Sequence, residues 1–281
     1  MMSEPLFHPS TKGRVRQFLQ KPSHALMIVG SPGSGKSHVA QYITDKILGD
    51  STHSFVQIIE PEKTTISIEQ VRSLQKFLSL KVPGKQKIRR VCIIEQAETL
   101  GVEAQNALLK ILEEPPDDTV IMLLTTNDKT LLTTIISRVQ TLQLLAIPKQ
   151  QLVDSLDSRD GKDIDRLHVL SGGLPGLFFE LLNNDDHVLS TNIQKAKQYL
   201  QATSFERLSN PEMPSTKTEI AAFLQALMMA CSGALKVAIS KGSFDDYKRW
   251  HKRCQLIYEV QQYNAKSISA KLILGRLALE I

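Results

Sequence analysis

The chain has 281 residues, 42% of them hydrophobic, and 34 Lys and Arg against 29 Asp and Glu give a formal net charge of +5. That length holds two domains with a helical appendage, and that composition belongs to a folded globular protein, which excludes a disordered or fibrous chain. The small basic excess suits a nucleic-acid partner and a solvated surface equally.

Three cysteines, Cys92, Cys231 and Cys254, lie far apart with no C-x-x-C pair, so the sequence offers neither a disulfide framework nor half of a zinc motif, and a reducing cytoplasmic setting is expected. The start, M-M-S-E-P-L-F-H-P, lacks the basic and apolar regions of a leader, and no run reaches the ~18 apolar residues of a membrane span. No membrane association is expected.

In chain order, apolar runs alternate with amphipathic ones from Val15 to about Ile147, the pattern of strands and helices around a mostly parallel sheet. Strands are predicted at His24–Val29, Phe55–Ile59, Val91–Ile94, Val120–Thr125 and Gln140–Leu144, separated mostly by stretches long enough for crossover helices. The run V-E-A-Q-N-A-L-L-K-I-L-E-E places Ala107, Leu108, Ile111 and Leu112 on one helical face and stops at Pro115-Pro116. The basic segment Lys85–Arg90 reads as a solvated lead-in to a strand, with a nucleic-acid contact as the alternative.

Beyond Ile147-Pro148 the pattern turns helical, with D-I-D-R-L-H-V-L, the loop S-G-G-L-P-G and then L-F-F-E-L-L. Phe205–Thr216, with Asn210, Pro211 and Pro214, reads as a connection, and three helices are predicted after it at Glu219–Ile239, Phe244–Tyr263 and Ile268–Ile281. Apolar side chains such as Ile220, Phe223, Leu224, Leu227 and Met228 require partners. The expected division is an α/β nucleotide-binding domain over 1–147, a helical domain over 148–204 and a C-terminal helical domain over 205–281.

The sharpest motif is G-S-P-G-S-G-K-S, comprising Gly30, Ser31, Pro32, Gly33, Ser34, Gly35, Lys36 and Ser37, which satisfies G-x-x-x-x-G-K-[ST] between the strand A-L-M-I-V and a helical run. Backbone N–H groups of such a loop turn toward phosphate oxygens, and the helix start adds its positive dipole end. Lys36 is expected to reach the β and γ phosphates of ATP, and Ser37 to ligate Mg²⁺. Glu95, after V-C-I-I, takes the place of the acidic residue that holds Mg²⁺ from a neighbouring strand. The next position, where a carboxylate polarises the attacking water in sites of this type, carries Gln96, which accepts no proton; loss of a general base costs ~10²–10⁴-fold in rate. Slow or absent turnover is therefore expected. Glu98 is the alternative base, but three residues on from Glu95 it is expected to face solvent or cap the next helix.

Together these residues, with H-A-L before the loop, the block E-A-Q-N-A-L-L-K-I-L-E-E-P-P from Glu103 to Pro116, L-L-T-T from Leu123 and T-I-I-S-R-V-Q from Thr134, resemble the AAA+ subunits of the bacterial DNA polymerase III clamp loader, most closely the delta-prime group. The resemblance implies a AAA+ P-loop module, a small helical lid and a C-terminal collar joining subunits in a hetero-oligomeric ring. It implies the sliding clamp and primer-template DNA as partners. Ser137-Arg138 stand where the group's S-R-C motif donates an arginine finger in trans to the neighbour's ATP, with Val139 in place of the Cys. Thr126 stands at the sensor position for the γ-phosphate, and Leu177 near the place of a lid arginine that is missing here. The zinc cysteines of many relatives are absent from between the P-loop and Glu95, so no zinc is expected. Two alternatives stay open: a gamma/tau-like motor subunit that hydrolyses ATP itself, and a AAA+ DNA-remodelling ATPase outside the clamp loader.

Overall fold

The computed structural model describes residues 4–49, 55–80, 82, 87–156, 164–183, 188–210, 213–265 and 269–281. Lys85 and Gln86 of the basic segment, Pro211 of the connection and Ile268 lie outside them. Two compact units divide the chain, residues 1–179 and 180–281.

The first unit is built on five parallel strands, β1 (Ala25–Val29), β2 (Val56–Ile59), β3 (Arg90–Ile94), β4 (Thr119–Thr125) and β5 (Gln140–Gln143), in the order β2-β3-β4-β1-β5. All five fall within a residue or two of the predicted spans. β1, β3 and β4 are buried at every position, which explains the apolar runs Ala25–Val29, Val91–Ile94 and Val120–Leu124: a strand covered on both faces has no polar side. Helices α1 (Pro9–Gln20), α2 (Lys36–Leu48), α3 (Ile68–Ser79), α4 (Val102–Glu113) and α5 (Thr133–Ile136) accompany the sheet. Alternate strand residues divide between two clusters. Met27, Cys92, Ile94, Ile121 and Leu123 pack with Leu74, Leu108 and Ile111, and Leu26, Ile28, Ile93, Met122 and Leu124 pack with Phe18, Val39 and Ile43. Cys92 is one of the packed apolar groups, and burial pushes its thiol up to about 12.

α4 follows the predicted face with one change. Leu108, Ile111 and Leu112 are buried, Ala107 is only partly covered, and the polar Gln105 is buried in addition. Gln105 Nε2 donates to Leu100 O (3.0 Å) and Thr130 O (3.3 Å), and its Oε1 accepts from Leu132 N (2.8 Å), so one amide ties the loop before α4 to the loop after β4.

The reading of Lys85–Arg90 as a solvated lead-in is corrected at its end. Arg90 is buried at the start of β3, bonds to the Phe77, Leu78 and Leu80 carbonyls through Nη1, and pairs with Asp118 at 2.5 Å, while Arg89 reaches the other Asp118 oxygen at 2.9 Å. The two arginines thus tie the start of β3 to Asp118, the residue before β4, and Arg90 also reaches the end of the Ile68–Ser79 helix.

α6 (Lys149–Asp154), α7 (Ile164–Ser171) and α8 (Pro175–Asn183) follow β5. The S-G-G-L-P-G turn is fastened to the end of the sheet module by Ile147 N donating to Gly173 O at 2.7 Å.

The second unit contains α9 (Val188–Gln201), α10 (Ser204–Ser209), α11 (Lys217–Lys241), α12 (Phe244–Ala265) and α13 (Ala270–Glu280). α10 falls inside the predicted connection. Thr203 and Glu206 form a reciprocal capping box that starts it, a signal stronger than the following prolines suggest. On α11 the side chains of Ile220, Phe223, Leu224, Leu227 and Cys231 are buried, as the apolar pattern requires; Met228 is only partly covered. α11 packs against α9 and α12. It is also the one helix among the described residues long and apolar enough, by length and composition, to cross a membrane, and a third of its apolar window is buried.

Candidate functional site

The carboxyl ends of β1, β4 and β3 lie side by side, where open parallel sheets place their ligands. Val29 pairs with Thr125 and Ile94 with Leu123, so the chain leaves β1 into Gly30–Ser37, β4 into Thr126 and β3 into Glu95 along one edge. Gly30 N donates to Thr125 O at 3.1 Å and Glu95 N to Ile59 O at 2.9 Å, which fixes both exits.

The loop ends at Gly35, the N-cap of α2, whose φ of +83° is open to glycine and strained for other residues. With Gly35 in that conformation, Lys36 and Ser37 become the first residues of α2 and their N–H groups lie at its positive end. Lys36 Nζ donates to the loop's own carbonyls, Gly30 O at 2.8 Å and Ser31 O at 3.3 Å. Burial lowers its pKa, against the pull of Glu98 and Glu95. The Ser34 hydroxyl is buried beside Gly30 without a partner, an unsatisfied donor within the loop.

Glu95, at the end of β3, stands near enough to Lys36 for their charges to act on each other. Burial raises the Glu95 pKa, the Ser37 hydroxyl and Lys36 oppose that, and the carboxylates Glu60 and Glu98 add to it. One carboxylate and one hydroxyl beside a phosphate loop form the sparse hard-oxygen set that suits Mg²⁺ carried by a nucleotide. The residues therefore fit such an ion.

Gln96 adopts φ +47°, ψ +49°, and is the non-glycine residue at positive φ among those described. Its side chain is exposed and its carbonyl accepts from Thr99 N and Thr99 Oγ1, both at 2.8 Å. This left-handed turn starts a single 3-10 turn, Ala97–Thr99, and redirects the next acidic residue. The expectation for Glu98 is thereby corrected. Glu98 turns inward to Thr126, with Oε1 accepting from Thr126 Oγ1 at 2.6 Å and Oε2 from Thr126 N at 3.2 Å. Burial raises the Glu98 pKa, but the bonds from Thr126 and Thr125 outweigh it and hold the carboxyl below its ordinary range. The left-handed Gln96 and the 3-10 turn after it direct the Glu98 side chain to Thr126, and no residue pattern announces that.

The start of α8 covers the loop. Leu177 N donates to Gly33 O at 2.9 Å, and a Cβ on Gly176 would stand 2.8 Å from Gly33 O and 3.2 Å from Gly35 N. Leu177 thus lies on the loop, and no arginine occupies its position.

Arg138 lies apart from this cluster. Just after α5, its Nη2 pairs with Glu113 Oε1 at 2.9 Å and its Nη1 donates to Thr134 O at 3.0 Å; both side chains of the pair remain substantially exposed.

Residues 46–148 match the family model described as "DNA polymerase III, delta subunit". The chain is 32% identical over 180 residues to the delta-prime subunit of DNA polymerase III from Pseudomonas aeruginosa, covering 54% of each protein. It is 30% identical over 156 residues to the delta-prime subunit from Bacillus subtilis, covering 49% of this chain and 47% of that one. The chain thus spans about half the length of the curated relatives it matches. Among solved structures, a DNA polymerase III gamma subunit-related protein from Thermotoga maritima superposes with a TM-score of 0.55 at 20% identity, covering 95% of this chain and 97% of that one, a likeness of fold. Over its matching segment the chain is thus similar to the delta-prime subunits of bacterial DNA polymerase III.

Proposed function

We propose that this protein is a delta-prime-like subunit of the DNA polymerase III clamp loader in the bacterial cytoplasm. It binds ATP with Mg²⁺ on Gly30–Ser37, turns it over slowly or not at all, presents Arg138 to the nucleotide of a neighbouring subunit, and acts with its partner subunits to place the sliding clamp on primer-template DNA. Its similarity to delta-prime subunits supports the assembly.

The observation that carries the nucleotide half is the placing of Lys36 and Ser37 at the positive end of α2, with the Lys36 ammonium held on the loop carbonyls Gly30 O and Ser31 O. Exchange of two loop carbonyls for phosphate oxygens is all Lys36 needs to bind. Gln96, exposed and neutral, offers the attacking water no base. The bound ion would neutralise phosphate charge, with Ser37 and Glu95 holding it. Domain roles follow the same reading: residues 1–147 as the AAA+ module, 148–204 as lid and 205–281 as collar.

Calorimetric titration of the full chain with Mg-ATP tests this, with Lys36→Ala as control. The reading expects saturable binding by the native protein and a loss on the order of tenfold or more in the variant, since one charged phosphate contact is removed. Equal affinity in both would place the nucleotide elsewhere.

A further inference from the structure

Thr126 follows β4 where Val29 pairs with Thr125 and β1 exits into Gly30–Ser37, and its hydroxyl and backbone N–H are both taken by one carboxylate. Glu98 Oε1 accepts the hydroxyl at 2.6 Å and Oε2 accepts the backbone N–H at 3.2 Å. Glu98 is also the foremost charge acting on Lys36. An oxygen anion therefore already sits on the donors that, in the nucleotide reading above, face the terminal phosphate.

Resting on that reading, we propose that Glu98 is the specificity-determining residue of the Gly30–Ser37 site: its carboxylate takes the place of a γ-phosphate on Thr126, so that the site holds a nucleoside diphosphate more tightly than a triphosphate. A diphosphate ends at Lys36 and the start of α2 and leaves the Glu98–Thr126 pair intact. A triphosphate brings a second oxygen anion to the same donors. Thr126 must then exchange partners, and the displaced carboxylate, three residues from Glu95 on a tight turn, keeps its charge near the incoming phosphate. Specificity of this kind rests on a repulsive element as much as on an attractive one.

The opposite role, a base standing in for Gln96, is disfavoured by the same geometry. Both carboxylate oxygens are engaged, and a carboxylate stabilised by several donors is a weak proton acceptor.

The experiment is calorimetric titration of the full chain with ADP and with ATP, each with Mg²⁺, for the native protein, Glu98→Gln and Glu98→Ala, with circular dichroism confirming the fold. The native protein is expected to bind ADP on the order of tenfold more tightly than ATP, the size of a typical coupling between competing groups. Both variants should bring the two affinities together by strengthening ATP binding while ADP binding stays unchanged. A native protein that favours ATP, or a ratio that neither variant moves, overturns the proposal. If folded native protein and variants bind neither nucleotide, the nucleotide reading itself falls, and this inference with it.

Discussion

The Arg138 guanidinium stands 2.9 Å from the Glu113 carboxylate, which joins the S-R-V stretch after α5 to the last residue of α4. An exposed pair of this kind contributes about 0–1 kcal/mol, because both charges remain hydrated and two long side chains must be held. The arginine is thus placed by its own chain at small cost and released at small cost, a suitable condition for a group proposed to act on a neighbour. Glu113→Gln is expected to change stability by less than about 1 kcal/mol in urea unfolding. A larger loss would make the pair a structural element of the first unit.

Asp118 is different, since the arginine it pairs with at 2.5 Å is buried. Burial pushes the Asp118 carboxyl up, but the hydrogen bond and charge of Arg90, the Thr119 hydroxyl and the Arg89 charge bring it below its ordinary value of 3.8. A carboxyl depressed in the folded state stabilises fully above its unfolded value, and that contribution is lost as pH falls through the folded one. The melting temperature should therefore drop as pH falls below about 4, and Asp118→Asn should flatten part of that dependence. At neutral pH the substitution is expected to cost about 3–5 kcal/mol, because Arg90 stays buried without its counter-charge. Melting curves between acid and neutral pH decide both.

In the second unit, Arg207 is buried and bonds to three carbonyls: Tyr199 O and Leu200 O in the last turn of α9, and Ala278 O in the last turn of α13. Two negative helix ends thus share one guanidinium. Arg207→Met keeps much of the volume and removes the donors; a destabilisation of about 2–4 kcal/mol is expected by denaturant titration. An effect below about 0.5 kcal/mol, typical of surface substitutions, would show that the capping is incidental.

Gly176 offers a test of the contact between α8 and the phosphate loop. Its missing Cβ lets Gly33 O and Gly35 N come close, and both are backbone atoms that cannot swing aside. Gly176→Ala is expected to shift the loop and weaken nucleotide binding several-fold while the circular dichroism spectrum is unchanged. Unaltered affinity would mean that α8 is free to move off the loop.

Much of this was legible in the sequence, for identifiable reasons. Doubly covered strands carry continuous apolar runs, so β1, β3 and β4 declared themselves, and the P-loop pattern located Lys36 and Ser37 at the start of α2. The features that escaped depend on geometry without a residue pattern. A left-handed Gln96, a conformation no sequence rule assigns to glutamine, turned Glu98 from solvent to Thr126. The pairing of Arg90 with Asp118 spans 28 positions, and such long-range partners leave no local trace. α10 was hidden because Asn210, Pro211 and Pro214 mark the segment as a connection, while the Thr203 of its capping box lies before that segment.

The measurement that bears most directly on the central claim is DNA- and clamp-stimulated ATP turnover by the reconstituted loader, comparing the native chain with Arg138→Ala after equal assembly has been verified. An arginine acting in trans on a γ-phosphate is worth ~10³–10⁵ in rate at the site it serves, so a large loss of turnover is expected. Turnover unchanged by the substitution would contradict the account and leave Arg138 as the surface partner of Glu113.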